Sequence, residues 1–228
     1  MIKTVFLDLD DTVLDFHLAE REAISKTLLE FGKEPAEDII SRYSEINLSL
    51  WKSLERGEAK REEILVRRFE ILFGEIGIHA PALKARDAYE KELSTKFFFM
   101  PGAKEVLESL SGKYSLYLAS NGTARVQEGR ILASGIAKYF RDIFISEKIG
   151  YNKPSALYFE HCFSKIPDFE RQSAIIVGDS LSSDIQGGIN AKIRTCLYNP
   201  KSKKNTTGIL PDYEIKSLSE LPLLLERI

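Results

Sequence analysis

Short apolar runs bounded by polar turns recur along this chain: Thr4–Leu7, Ser115–Ala119, Ala174–Val177 and Thr195–Tyr198, with Ile143–Ile145 as a fifth and Tyr213–Ile215 closing the series. Runs of three to five such residues fit strands buried on both faces rather than strands with one wet side. Between the later runs the apolar residues fall at helical spacing instead, over Gly102–Leu110, Thr123–Ser134, Ser155–Lys165 and Ser183–Asn190, with a last helix in Ser217–Arg227. Strands alternating with helices predict βαβ units and a parallel sheet covered on both sides, the doubly wound α/β architecture.

The interval from 16 to 97 breaks this rhythm. It holds no convincing strand and four amphipathic helical patterns, His17–Phe31, Ala36–Leu54, Lys60–Phe73 and Ala82–Lys96, with Gly32, Pro35, Gly57, Gly74, Gly77 and Pro81 where loops should fall. An all-helical block inserted after the first strand reads as a second, smaller domain. The predicted division is a core of residues 1–15 and 98–228 and an insert of residues 16–97.

Length and composition add bounds. At 228 residues, 43% hydrophobic and 29% charged, the chain has the make-up of a soluble globular protein with a sizeable core. A formal charge of −2 gives no bias toward nucleic acid, and clusters such as Lys201, Lys203 and Lys204, or Arg67-Arg68, read as solvated faces. No apolar run reaches membrane-spanning length, and Asp8, Asp10 and Asp11 stand where a signal peptide would need its apolar stretch. Cys162 and Cys196 lack zinc or redox spacing and read as buried free thiols, consistent with a cytoplasmic protein.

The candidate chemistry lies just past the strands. Thr4–Leu7 runs into Asp8-Leu9-Asp10-Asp11-Thr12; Ser115–Ala119 into Ser120-Asn121-Gly122; Ala174–Val177 into Gly178-Asp179-Ser180 and then Asp184; a loop after Ile143–Ile145 brings Lys153-Pro154. In an open parallel sheet all four land on the carboxyl edge, where ligands bind. Several carboxylates with a hydroxyl and an ammonium suit a phosphate monoester and Mg²⁺. Asp8 would attack phosphorus to form an aspartyl-phosphate, and Asp10 would protonate the leaving oxygen and then activate water. Ser120 and the Asn121-Gly122 turn would hold phosphoryl oxygens, and Lys153 would supply positive charge. Asp179 would complete a metal shell with Asp8 and Asp10. Asp184 would join it, hold a metal-bound water or orient Lys153.

These four segments, in this order and strand context, resemble the ordered motifs of the haloacid dehalogenase superfamily of phosphatases. The resemblance implies a Rossmann-like core, a helical cap formed by the insert, and the roles just given, with the Asp10 position also offering its backbone carbonyl to the metal. A narrower likeness is carried by Leu50-Trp51-x-x-Leu54-x-x-Gly57, by Ile145-Ser146-Glu147-x-Ile149-Gly150-x-x-Lys153-Pro154 and by Asp184-Ile185-x-Gly187-Gly188-Ile189-Asn190-Ala191. These resemble the pyrimidine 5′-nucleotidase branch, implying a nucleoside monophosphate as substrate. Sugar-phosphate or phosphoglycolate phosphatases share the same core signals, so they stand as the alternative. A haloalkanoate dehalogenase would need neither Asp10 nor a metal, and a non-catalytic binding module would have no use for so many close acids.

Other residues carry weaker signals. Asp11 reads as a turn or cap group. His17, His79 and His161 have no ligand-like spacing, although His17 lies close to the first motif. Phe16, Tyr43, Trp51 and Phe97-Phe98-Phe99 fit helix packing, with Phe16 and Trp51 the first choices for contact with a substrate base. The crossings at Leu14–His17 and Lys96–Pro101 are the natural hinges. Neither oligomeric state, monomer or homodimer, nor base preference is legible.

Overall fold

The computed structural model describes all 228 residues. Six parallel strands form one sheet: β1 (Thr4–Leu7), β2 (Ser115–Ser120), β3 (Asp142–Ile145), β4 (Ala174–Gly178), β5 (Arg194–Tyr198) and β6 (Tyr213–Ile215), in spatial order β3-β2-β1-β4-β5-β6. The chain steps outward from β1 to β3, then returns to lay β4 on the other side of β1. That reversal makes β1 the topological switch point, where a doubly wound sheet opens a crevice at its carboxyl edge.

Alternation along the strands builds two cores. Val5, Leu7, Leu116, Leu118, Ile175 and Val177 face one side, packed with residues of α5 (Ala103–Ser111) and α10 (Leu221–Arg227). Phe6, Tyr117, Ala119, Phe144 and Ile176 face the other, against Tyr158, Phe159, Cys162 and Phe163 of α8 (Ala156–Ser164). Both cysteines are buried free thiols, pushed up to about 12 chiefly by burial.

The helical interval contains α1 (Phe16–Glu30), α2 (Glu37–Glu55), α3 (Arg61–Ile76) and α4 (Ala82–Leu93). Ala19, Ala23, Ile24 and Leu28 of α1 pack with Tyr43, Phe69 and Tyr89 into a third core, separate from those of the sheet. The three rings meet at centroid distances of 5.3 to 5.7 Å, each such contact contributing about 0.5–1.5 kcal/mol beyond simple burial. The chain enters and leaves this bundle side by side: Asp15 N–H donates to Phe98 O at 2.8 Å and Met100 N–H to Val13 O at 3.0 Å. Alternation sends Phe98 to the bundle core and Phe99 to the sheet core.

Some sequence expectations need correction. Arg68 is not on a solvated face: it is buried, while Arg67 and the Lys201–Lys204 cluster are exposed. The helix expected over Ser183–Asn190 is a π-helical turn, Leu181–Ile185, followed by α9 (Gln186–Ala191). The short helix α7 (Ser146–Ile149) went unforeseen, being too short for any period to register. Completing the series, α6 (Ala124–Ser134) follows β2. No helix is long and apolar enough to cross a membrane.

Candidate active site

The carboxyl edge of the sheet around β1 brings the acids together. Asp8 follows β1 and donates its N–H to Val177 O of β4 at 3.0 Å, which ties it to the sheet. Lys153 Nζ lies 2.6 Å from Asp8 Oδ1, 2.6 Å from Asp184 Oδ1 and 2.6 Å from the Ala119 carbonyl, and Lys153 is only 1% exposed. Asp8, Asp179 and Asp184 each place a carboxylate oxygen within 4.8 Å of the others. Gly178 is required here, because a Cβ would run into the Asp184 carboxylate. Asp184 Oδ2 also accepts the Ser180 N–H at 3.1 Å, which fixes its orientation.

One ammonium among three carboxylates leaves an excess of negative charge. Burial holds the Asp8 carboxyl well above the ordinary carboxylate range; Lys153 pulls the other way, while Asp184 and Asp10 push it further up. Asp179, partly open to the cavity, is raised in the same way by burial and then by Asp184, Asp8 and Asp11. Burial works against the Lys153 charge, but Asp184 and Asp8 outweigh it and hold the ammonium above its usual pKa. A further cation among these oxygens would relieve the imbalance, and hard carboxylate donors suit a magnesium ion.

Asp10 keeps different company. Its Oδ2 accepts from Gln127 Nε2 at 2.6 Å and its Oδ1 pairs with Arg130, which is fully buried. The Asp10 carboxylate is therefore not one of the three clustered carboxylates, although it lines the same cavity. Gln127 and Arg130 sit one turn apart on α6, so they share a face. Gln127 Nε2 also reaches Ser120 Oγ at 2.8 Å, linking Asp10 to the end of β2. A Cβ on Gly122 would strike the Gln127 side chain. Sequence reasoning passed over both residues; their i, i+3 spacing just behind the Ser120-Asn121-Gly122 turn was the available signal.

Asn121 joins the end of β2 to the loop that carries Lys153. It donates from Nδ2 to Lys153 O at 2.8 Å and accepts the Lys153 N–H at Oδ1, also at 2.8 Å. The helical bundle reaches this turn through Arg61, whose Nη1 donates to Asn121 O at 2.6 Å and Gly122 O at 3.1 Å. Its Nη2 bonds Ser146 Oγ at 2.7 Å and pairs with Asn152 Oδ1, and the guanidinium stands 5.5 Å from the Trp51 ring. Glu55 accepts from Ser182 Oγ at 2.8 Å across the same gap. Asp11, with φ of 57°, turns its carboxylate onto the first N–H groups of α1, Phe16 at 2.9 Å and His17 at 3.3 Å. His79 is exposed and His161 half-buried.

Asp8, Asp10, Asn121, Gly122, Lys153, Asp179 and Asp184 line one cavity of about 410 Å³, with Phe16 and Trp51 on its bundle side. Ser120 lies behind it, held by Gln127 and by the Gly122 N–H at 3.2 Å.

Residues 2–192 match the family of haloacid dehalogenase-like hydrolases. This chain belongs to that family. The hydrolase is 37% identical over 220 residues to the HAD-hydrolase YfnB of Bacillus subtilis, covering 96% of this chain and 93% of that one. It is equally 37% identical, over the same shares, to the pyrimidine 5′-nucleotidase PynA of Streptococcus pneumoniae. Its identity to the Escherichia coli pyrimidine 5′-nucleotidase YjjG is 27%, covering 97% of this chain and 96% of the relative. The crystal structure of YfnB, bound to magnesium and revealing interdomain movement, superposes with a TM-score of 0.92 at 35% identity and covers 98% of both chains.

Proposed function

We propose that this hydrolase is a Mg²⁺-dependent phosphatase acting on pyrimidine nucleoside 5′-monophosphates through an aspartyl-phosphate at Asp8. The observation that carries the chemistry is the Asp8–Lys153–Asp184 chain with Asp179 beside it, opening on a cavity that the helices roof. The nucleotide reading is supported by likeness to PynA across nearly the whole chain, helical insert included.

Asp8, Asp179 and Asp184 would hold the metal, which offsets carboxylate and phosphoryl charge when bound. Lys153, fixed by Asp184, keeps one Asp8 oxygen oriented and leaves the other to attack phosphorus. The bond from phosphorus to the ester oxygen breaks, and Asp10 gives that oxygen its proton. Asp10 then takes a proton from water as the water oxygen attacks phosphorus, which frees Asp8 and inorganic phosphate. Arg130 and Gln127 hold Asp10 in place through both halves. The Asn121 N–H of the turn is offered to a phosphoryl oxygen, while the Gly122 N–H is held by Ser120, and Lys153 supplies positive charge next to it.

Phosphate release from a panel of nucleoside monophosphates, sugar phosphates and phosphoglycolate, with Mg²⁺ and with chelator, tests the reading. Mg²⁺-dependent preference for UMP, dUMP or dTMP is expected. Preference for a sugar phosphate would keep the chemistry and overturn the nucleotide assignment; metal-independent release would overturn the metal site.

A further inference from the structure

The bundle side of the cavity carries buried polar groups that the chemistry at the sheet edge leaves unused. Glu20 accepts hydrogen bonds from Ser44 Oγ at 2.6 Å and Asn47 Nδ2 at 2.7 Å. Asn47 Oδ1 in turn accepts from Arg68 Nη1 at 3.1 Å, and Arg68 Nε donates to Leu65 O at 3.1 Å. From Glu20 to Arg68 Nη1 every step is satisfied, so the guanidinium is held in one place, with the Tyr89 ring 4.6 Å from it.

At the cavity the satisfaction stops. Arg68 Nη2 stands 3.7 Å from Glu90 Oε1, beyond hydrogen-bond reach. Glu90 Oε1 has no hydrogen-bond partner although Glu90 is only 9% exposed. The two charges form a loose ion pair without a hydrogen bond between them, and a buried acceptor without a hydrogen bond is costly, so such a group is retained where something else completes it. Both residues line the cavity that holds Asp8 and Asp179.

We infer that Arg68 and Glu90 read the base of the substrate, Arg68 Nη2 donating to a ring acceptor and the Glu90 carboxylate accepting from the adjacent N–H. The inference rests on the nucleotidase reading and names the groups that make the bundle selective. The edge they fit is a donor beside an acceptor in one plane, as N3–H beside a carbonyl in uracil and thymine, or the amino group beside N3 in cytosine. Glycolate offers no such edge, and a flexible polyol does not hold one fixed. Because Arg68 is held in place before substrate arrives, a ligand lacking the edge leaves Glu90 without a hydrogen bond, and selectivity follows from that penalty.

The test uses the unaltered enzyme and its Glu90→Gln variant with UMP, N3-methyluridine 5′-monophosphate and p-nitrophenyl phosphate. Methylation removes the ring N–H without touching the protein, so kcat/KM for the methylated nucleotide is expected to fall about tenfold or more in the unaltered enzyme. Glu90→Gln should lower kcat/KM for UMP, mainly through KM, at least about tenfold more than for p-nitrophenyl phosphate, and should shrink the penalty of methylation. Thermal melting checks that the variant is folded. An unmethylated-to-methylated ratio that Glu90→Gln leaves unchanged, or equal losses on UMP and p-nitrophenyl phosphate, overturns the inference alone. An unaltered enzyme that turns over sugar phosphates in preference to every nucleotide overturns the nucleotidase reading and this inference with it.

Discussion

The sheet edge and the bundle wall face each other across one cavity, and their polar groups are organised in opposite ways. At the edge, one buried ammonium is shared by two carboxylates at 2.6 Å each, and Asp10 is held by Gln127 and Arg130. At the wall, a hydrogen-bonded chain runs from Glu20 to Arg68, and beyond it Glu90 is held by a loose ion pair with no hydrogen bond to its Oε1. In the proposed mechanism the first arrangement would act on any phosphoryl group presented to it. The second, on the inference above, would be completed only by a particular leaving group. On the proposed reading, reaction and selectivity are housed on separate elements, so one can vary while the other stays fixed.

Substitutions at the edge should therefore cost turnover on every substrate. Asp8→Asn carries the largest expected effect. The amide can still accept from Lys153, and removing a charge from an overcrowded acid cluster should not unfold the protein, yet no nucleophile remains. Turnover should drop by at least ~10⁴-fold on all phosphate esters, the scale seen when a covalent nucleophile is removed. Residual activity above about one percent, with a normal melting curve, would place the nucleophile elsewhere.

Asp10→Asn should come next, with a loss on the order of 10²–10⁴-fold for an alkyl phosphate. A nitrophenolate needs little protonation to leave, so the loss on p-nitrophenyl phosphate should be smaller. Equal losses on the two esters would mean that Asp10 does not protonate the leaving group, and the edge would then hold a different acid.

The two regions also differ in how plainly the sequence announces them. Asp8, Ser120 and Asp179 stand at or just past the end of an apolar run, Lys153 arrives on the loop after another, and the parallel order of the sheet collects these ends at one edge. Four local signals therefore converge without any knowledge of packing. Glu20, Asn47, Arg68 and Glu90 belong to four different helices and meet only because those helices pack. Nothing local marks Arg68: beside Arg67 it looks like half of a surface pair, and only the rotation of α3 sends one arginine inward and the other out. The helix boundaries, set by caps such as Asp15 on the Leu18 N–H at 2.9 Å, moved by only a residue or two at most ends.

Arg61 probes the link between the regions. It is a bundle residue that hydrogen-bonds the carbonyls of Asn121 and Gly122, so it ties the roof to the turn that would hold phosphate. Arg61→Ala should lower kcat/KM on the order of tenfold for nucleotide and aryl phosphate alike, because the turn and the closure of the bundle serve both. Arg61→Lys should not restore it, since a single ammonium cannot match the four acceptors that the planar guanidinium bridges. A loss confined to nucleotides would move Arg61 from the link to the selective wall.

The smallest effect should fall on Asp11, which shares the first motif and the cavity with Asp8 and Asp10 but spends its carboxylate on the start of α1. Its carboxylate accepts the Phe16 and His17 N–H groups where α1 begins, and its backbone sits at φ 57°, a conformation that Asn tolerates and Ala does not favour. Asp11→Asn should keep the cap oxygen and the turn, leaving stability nearly unchanged. Asp11→Ala loses both and should cost about 1 kcal/mol, lowering the melting temperature by a few degrees. In both variants kcat at saturating substrate should stay within about threefold, because Asp11 makes no contact with Asp8 or Lys153. A hundredfold fall in kcat for Asp11→Asn, with the melting curve unmoved, would make a third acid of the motif part of the reaction and erase the line drawn here between the groups that transfer phosphate and those that only shape the entrance to the bundle.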